Sequence, residues 1–372
     1  MLHSPKRLDE EQINHLRLAR SENVGNKTFK NLLSIYKTAS IAIENLADLA
    51  AAGGLKRKIV IASEQSVLDE VEKVARYGAQ LIVASDPDFP PSLKRLDDAP
   101  QVITVKGNLE LLHHDSIICI VGARNASTNG CAFTKKLAHE LGSSQIIIAS
   151  GLARGIDTYA HHGSLDTGTI AVIAGGIDHI YPKENTSLYH AIAEEGIIVA
   201  ELPIGTAPHA KHFPQRNRII SGLSSAVVVV EAAENSGSLI TARFAKFQDK
   251  KIFAVPGSPL DGRCLGTNDL IRKGAEICTS SDDILRFLHN RQSSNLAEND
   301  NYFDAPFKIS SQELSKYRKI LHINLSFSKV ALEDLAAHTG IPLPILNLLI
   351  VELELAGKVE RTFGNNVCRI MQ

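Results

Sequence analysis

IICIVGARNASTNGCAFTKKLAHELGSSQIIIASGLARGID, residues 117–157, decides the fold. It opens on an unbroken apolar run (117–121), turns at Gly122-Ala123-Arg124, passes through a helix-like stretch, and closes on a second run (146–150) that turns at Gly151. Runs without polar alternation have both faces covered, and helices between them join strands in parallel. The rhythm extends outward through LIVAS (81–85), VITV (102–105), TIAVIA (169–174), IIVA (197–200), AVVVV (226–230) and IFAV (252–255). The predicted class is α/β, a doubly wound parallel sheet occupying residues 79–290.

The flanks read differently. Residues 1–78 carry short helical patterns (EEQINHLRLA, TFKNLLSIYK, IENLADLAAAGG), a small N-terminal helical domain. Its turn, Asn23-Val24-Gly25-Asn26-Lys27, is similar to a helix-hairpin-helix, where N–H groups at a helix start can meet phosphate. Residues 291–312 are polar and rich in turn formers, the mark of a linker. Residues 313–372 run helix, turn at Gly340, helix, then an alternating segment about Gly364-Asn365-Asn366, the order of a winged helix.

Composition excludes several classes. Hydrophobic residues at 44% and charged residues at 22% are globular values, and 40 Lys+Arg against 41 Asp+Glu leave a formal charge of -1. Any nucleic-acid site is therefore a local patch and not a whole-molecule field. The five cysteines, Cys119, Cys131, Cys264, Cys278 and Cys368, form no CxxC pair and no zinc-finger spacing, so reduced thiols and no metal are expected. The start, MLHSPKRLDEEQINHL, has no apolar signal core, and no run approaches ~18 apolar residues. A cytoplasmic protein without a membrane partner is expected.

Ligands of open α/β sheets bind beyond the carboxyl ends of the strands. There the chain places Gly122-Ala123-Arg124, Ser150-Gly151-Leu152-Ala153-Arg154-Gly155, Gly175-Gly176, Ser236-Gly237-Ser238 and Pro256-Gly257. Glycine admits close backbone approach, serine offers a hydroxyl, and Arg124 and Arg154 offer charged forks. None of these loops is GxxxxGK[ST], and none has G-x-G-x-x-G spacing with an acid about 20 residues on, so ATPase and dinucleotide enzymes lose their main support. A second feature, HAKHFPQRNR (209–218), sets Lys211, Arg216 and Arg218 around Phe213 and Asn217 with no carboxylate. Cations interleaved with a ring suit a single strand, whose phosphates need charge and whose bases need a flat surface. The plainer readings have Phe213 anchoring the loop and Arg216 pairing with Glu201 or Glu231. Asp157 and His161, spaced i, i+4, are read as structural, as are His162 and Asp178, because no nucleophile or ligand set accompanies them.

Taken together, VGAR (121–124), SGLARGID (150–157), Tyr181-Pro182, FPQRNRII (213–220), SGSLITA (236–242), and GTNDLI (266–271) with Gly274-Ala275 closely resemble the DNA-processing protein A (DprA, or Smf) family. FPPSLKRLDDAPQVITVKGN (89–108) is similar to that family's approach segment. The resemblance covers the whole α/β domain, and the two ends fit the longer members. It implies an extended Rossmann-like domain without cofactor that binds single-stranded DNA independently of sequence, dimerises, and loads RecA recombinase during natural transformation. By motif position it implies DNA contacts at Arg124, Ser150, Gly151, Arg154, Gly155, Lys211, Phe213, Arg216, Asn217, Arg218, Ser236, Gly237 and Ser238. Asn129 stands where the family carries an aromatic residue.

Charge argues against duplex reading by the tail. Between Lys329 and Lys358 there is no Lys or Arg, whereas Glu333, Asp334, Glu352 and Glu354 lie inside that span. A recognition helix without a cation meets phosphate at an electrostatic loss, so this module is expected to contact protein, with Lys358, Arg361 and Arg369 of the wing touching DNA weakly at most. Two rival functions have less support in the sequence. A nucleotide phosphoribohydrolase of the lysine-decarboxylase-like group lacks its PGGxGTxxE run here, and a sequence-specific duplex regulator conflicts with the acidic tail helix.

Overall fold

The computed structural model describes residues 8–292, 310–362 and 365–370. The first described elements are α1 (Glu10–Ala19), α2 (Asn26–Tyr36) and α3 (Ala39–Ala52). Asp9 and Gln12 form a capping box that starts α1, and Thr38 accepts from the Ile41 amide to start α3.

The sheet follows, with β1 (Gln80–Val83), β2 (Val102–Gly107), β3 (Ile117–Gly122), β4 (Ile147–Ser150), β5 (Thr169–Ile173), β6 (Ile197–Ala200), β7 (Ala226–Val230), β8 (Lys251–Ala254) and β9 (Glu276–Ile277). Helices α4 (Glu64–Arg76), α5 (Pro91–Lys94), α6 (Thr128–Ser143), α7 (Ile156–Ser164), α8 (Thr186–Glu195), α9 (His212–Leu223), α10 (Ser238–Phe247), α11 (Leu265–Arg272) and α12 (Ser281–Gln292) precede, connect and close these strands. Among the described residues the strand order is β1-β2-β6-β5-β4-β3-β7-β8-β9. Strands β3 to β9 pair in parallel, but β2 is antiparallel to both β1 and β6. The expectation of a wholly parallel sheet is corrected at that strand. VITV is buried on both faces whichever way it runs, so its apolar pattern carries no direction.

Both faces are covered, and β3 displays the division residue by residue. Ile117, Cys119 and Val121 pack with Ile219, Ile220 and Leu223 of α9 and Ala242 and Ala245 of α10. Ile118 and Ile120 pack on the other side with Leu137, Ala138 and Leu141 of α6 and Ile156 and Ala160 of α7. The strand sequence reverses direction at β3, which is flanked by β4 and β7, so the loops after β3 and β7 diverge and leave a crevice at their carboxyl ends.

The tail folds as α13 (Ser311–Asn324), β10 (Val330–Ala331), α14 (Leu332–Thr339), α15 (Leu343–Leu355), β11 (Val359–Thr362) and β12 (Asn366–Arg369), with antiparallel strand order β10-β12-β11. That is the winged-helix arrangement. Most of the expected linker, residues 293–309, lies outside the described residues, as do Phe363 and Gly364 of the wing turn. Compactness does not follow chain order: residues 69–292 form one unit, while residues 8–68 and 310–370 together form the other. No single described helix is long and apolar enough to cross a membrane. The five thiols are free, and all but that of Cys131 are buried.

Candidate nucleic-acid interface

Two cavities lie side by side at the carboxyl edge of the sheet. The larger, about 750 Å³, is walled by the loops after β3 and β7, and its lining includes Asn125, Asn217, Ser236, Gly237, Ser238 and Arg263. The smaller, about 400 Å³, lies over the loops after β4 and β5, with Arg154, His179 and Tyr181 in its wall. Arg124, Phe213 and Arg216 line both.

The ridge between the cavities is aromatic and cationic. The Arg124 guanidinium sits 5.2 Å from the centre of the Phe213 ring, and Tyr181 meets that ring edge-on at 5.6 Å. The loop bearing Arg124 is held from below. Glu231, at the end of β7, accepts from the Ser127 amide at 2.8 Å and from the Ser127 hydroxyl, and Ser127 in turn caps α6. Gly155 permits the neighbouring loop to close in. Its φ of 73° favours glycine, and a Cβ there would stand 2.3 Å from the Ala123 carbonyl oxygen.

The segment expected to be uniformly cationic divides in two. Lys211 is exposed at the start of α9, and Phe213 is half-buried beside Arg124. Arg216 and Arg218 turn inward, only 6% and 5% exposed. Arg216 donates to the carbonyls of Val172, at 2.6 Å, and Gly151. Burial brings its guanidinium down to about 10, with Asp157 opposing the shift, and burial likewise raises the Asp157 carboxyl against the pull of Arg216. Arg218 pairs with Glu201 and donates to the Asp98 carbonyl at 2.6 Å. For these two arginines the structure departs from the expectation of an outward-facing cation, because three carbonyls (Gly151, Val172 and Asp98) and the carboxylates of Glu201 and Asp98 engage them from inside, with the buried Asp157 as the counter-charge of Arg216. The Glu201 pairing weighed for Arg216 is made by Arg218, two positions on.

The remaining positions separate in the same manner. Ser150 is fully buried, and its hydroxyl donates to the Ile120 carbonyl at 2.6 Å, so it fastens β4 to β3 and presents nothing to the cavity. Gly151 borders the smaller cavity and leaves no room for a side chain, because a Cβ would lie 2.0 Å from Arg216 Nη1. Arg154 is exposed, with Glu184 2.6 Å away. Ser236 and Ser238 share a hydrogen bond of 2.7 Å across Gly237 at the start of α10. Asn217 reaches the Gly237 carbonyl at 3.4 Å, tying α9 to that turn. His161 hydrogen-bonds Thr169 at 2.7 Å, and burial lowers it to about 3, so it is a neutral core group. Tyr181 and Arg263 in the cavity walls and the clamp made by Glu231 are absent from the contacts expected from the sequence, where Tyr181-Pro182 stands only among the motifs of the resemblance.

Family comparison agrees with this anatomy. The model of DNA recombination-mediator protein A matches residues 80–289, that of the DprA-like N-terminal HHH domain residues 9–72, and that of the DprA winged helix domain residues 308–365. DNA processing protein DprA of Bacillus subtilis is 44% identical over 216 residues, covering 58% of this chain and 73% of that one. The solved structure of DprA from Streptococcus pneumoniae superposes with a TM-score of 0.62 at 32% identity, covering 75% of this chain and 98% of the other. That of DprA from Helicobacter pylori, described for its single-stranded DNA binding mode, gives 0.53 at 29% identity, covering 57% and 97%. Since the central model alone spans more than half of the sequence and the flanking models account for both ends, the chain belongs to the DNA recombination-mediator protein A (DprA/Smf) family.

Proposed function

We propose that this protein binds single-stranded DNA along the carboxyl edge of its sheet, leaves the strand chemically unaltered, and delivers it to a RecA-type recombinase. The observation that carries the reading is the ridge: Arg124 and Phe213 stand between two nucleotide-sized cavities, and Lys211, two residues before Phe213, is exposed at the start of the same helix. A flexible strand can place a base in each cavity, stack across the ring and leave its phosphates to the cations. A duplex cannot unstack in this way without losing pairing. Arg154 and the Ser236-Gly237-Ser238 turn extend the path at either end. Arg216, Arg218 and Ser150 act from beneath as positioning residues.

The protein acts in the cytoplasm as a homodimer in this proposal. Exposed apolar side chains late in the α/β unit, Phe247, Leu260 and Ile277, supply the contact between copies. Sedimentation of Phe247→Glu with Ile277→Glu tests that assignment, and an unchanged mass would remove it.

Anisotropy titrations of oligo-dT and of a duplex of equal length, across a series of salt concentrations, test the site. The single strand is expected to bind more tightly. Its log K should fall against log salt by about 0.7 per phosphate neutralised, and Arg124→Ala with Lys211→Ala should lower that slope by about 1.4. Equal affinity for both forms, or an unchanged slope, would remove the assignment. Filament assembly on strands coated with a competing binding protein tests delivery.

A further inference from the structure

The third helix of the winged helix, α15, is apolar on two sides. Ile345, Leu346, Leu349 and Ile350 point into the winged-helix core with Leu321, Leu332 and Leu335. Val351 and Leu355, both fully buried, lie in a separate core with Leu18, Phe29, Leu32, Ala42 and Leu46 of the N-terminal helices. A free-standing winged helix offers the outer side of this helix to the major groove. Here that side is covered by residues 8–68.

The covering contact is close and specific. Asn23 donates its side-chain amide to the Leu355 carbonyl at 3.0 Å, so the N-terminal turn satisfies a group that the end of α15 leaves free. Thr28, in the first turn of α2, donates to Glu354 at 3.2 Å. Glu354 is only 8% exposed and also accepts from Arg361 at 3.1 Å. Gly53, at the end of α3, abuts α15 so closely that a Cβ would stand 1.9 Å from the Glu352 carbonyl oxygen. The turn with hairpin character and the helix in the groove-reading position are thus each occupied by the other. The wing is engaged as well, Arg361 by Glu354 and Arg369 by the His322 carbonyl.

We infer that α15 is the docking helix for the chain's own N-terminal module, and that this internal contact withholds both terminal modules from duplex DNA. The inference stands on the terminal unit alone and is independent of the strand-binding reading of the sheet edge. The absence of Lys and Arg from α15 accords with it, since a helix that docks on protein has no phosphates to meet.

Hydrogen exchange on the full-length protein is the test. Gly53 has ordinary helical φ and ψ, so Gly53→Val suits its own backbone and acts as a wedge against Glu352. Exchange should rise about tenfold in both 39–52 and 346–355, with β3 and β7 of the other unit unchanged. Thr28→Val keeps the volume and removes only the bond to Glu354, so it preserves the test if the wedge unfolds the module. It should raise exchange in 350–356 by about threefold. Adding a duplex of about two helical turns to the unaltered protein should leave exchange in 343–355 unchanged. If neither variant alters 346–356, or if the duplex protects 343–355, the inference is overturned.

Discussion

The carboxyl edge of the sheet and the outer side of α15 are the positions where folds of their kind meet ligands and DNA respectively, and they handle charge in opposite ways. At the sheet edge Arg124 lies over a ring and Lys211 is exposed, and Glu231, Asp157 and Glu201 are turned to Ser127 or to buried arginines, although Glu184 pairs with Arg154 and Glu234 lines the larger cavity. On α15 the charges are carboxylates, Glu352 held by Arg318 at 2.7 Å and Glu354 by Arg361, and the helix is covered by protein. A cation meets solvent phosphate only when nothing inside the fold has taken its donors. That difference, more than the number of basic residues, separates the edge proposed to bind a strand from the helix inferred to dock on protein.

The sharpest way to break the comparison is at Arg216, which has the residue type of the edge but the burial of the core. Arg216→Ala leaves Asp157 buried without its counter-charge and two carbonyls without donors. The expected cost is about 3–5 kcal/mol of stability, read by urea unfolding. Asp157→Asn in the same chain should restore part of it. Strand binding lost with unfolding unchanged would instead make Arg216 a direct contact.

Acidification distinguishes the two units. His161 is held at about 3 in the folded protein against its ordinary 6.5. The unfolded chain therefore takes up a proton across that window and the folded chain does not. Stability from this group is complete above 6.5 and falls as pH drops, by about 2 kcal/mol between pH 7 and pH 5. His161→Asn should flatten that part of the profile. Burial raises Glu354 in the terminal unit, so its sign is opposite: acidification through its raised value favours the folded form. If His161→Asn reproduces the unaltered pH profile, the ring is not the neutral core group described.

Smaller effects sharpen the edge itself. Phe213→Ala should weaken oligo-dT by roughly 1–3 kcal/mol for the stacked base while leaving the salt slope unchanged, the reverse of the expectation for Arg124 and Lys211. A changed slope would mean that the ring acts only by placing Arg124. Arg154→Ala breaks an exposed pair with Glu184, so unfolding should shift by less than about 1 kcal/mol. Its strand affinity should drop only at low salt.

The α/β class, the location of the strands and the loops that wall the two cavities follow from the chain alone. Buried strands must be apolar on both faces, and the glycine-rich turns after them mark where backbones approach closely. Arg124 and the serine turn were legible for that reason, and Phe213 from the cations around it, as residues that line the two cavities. Which cations face outward was decided only by the tertiary structure. Lys211, Arg216 and Arg218 lie within eight residues and look equivalent in the chain, but the rotation of α9 on the sheet buries Ile219, Ile220 and Leu223 and carries Arg216 and Arg218 inward to Asp157 and Glu201. The direction of β2 and the union of residues 8–68 with 310–370 were hidden on the same physical ground. An apolar side chain specifies that it will be buried, and only the assembled fold specifies against what.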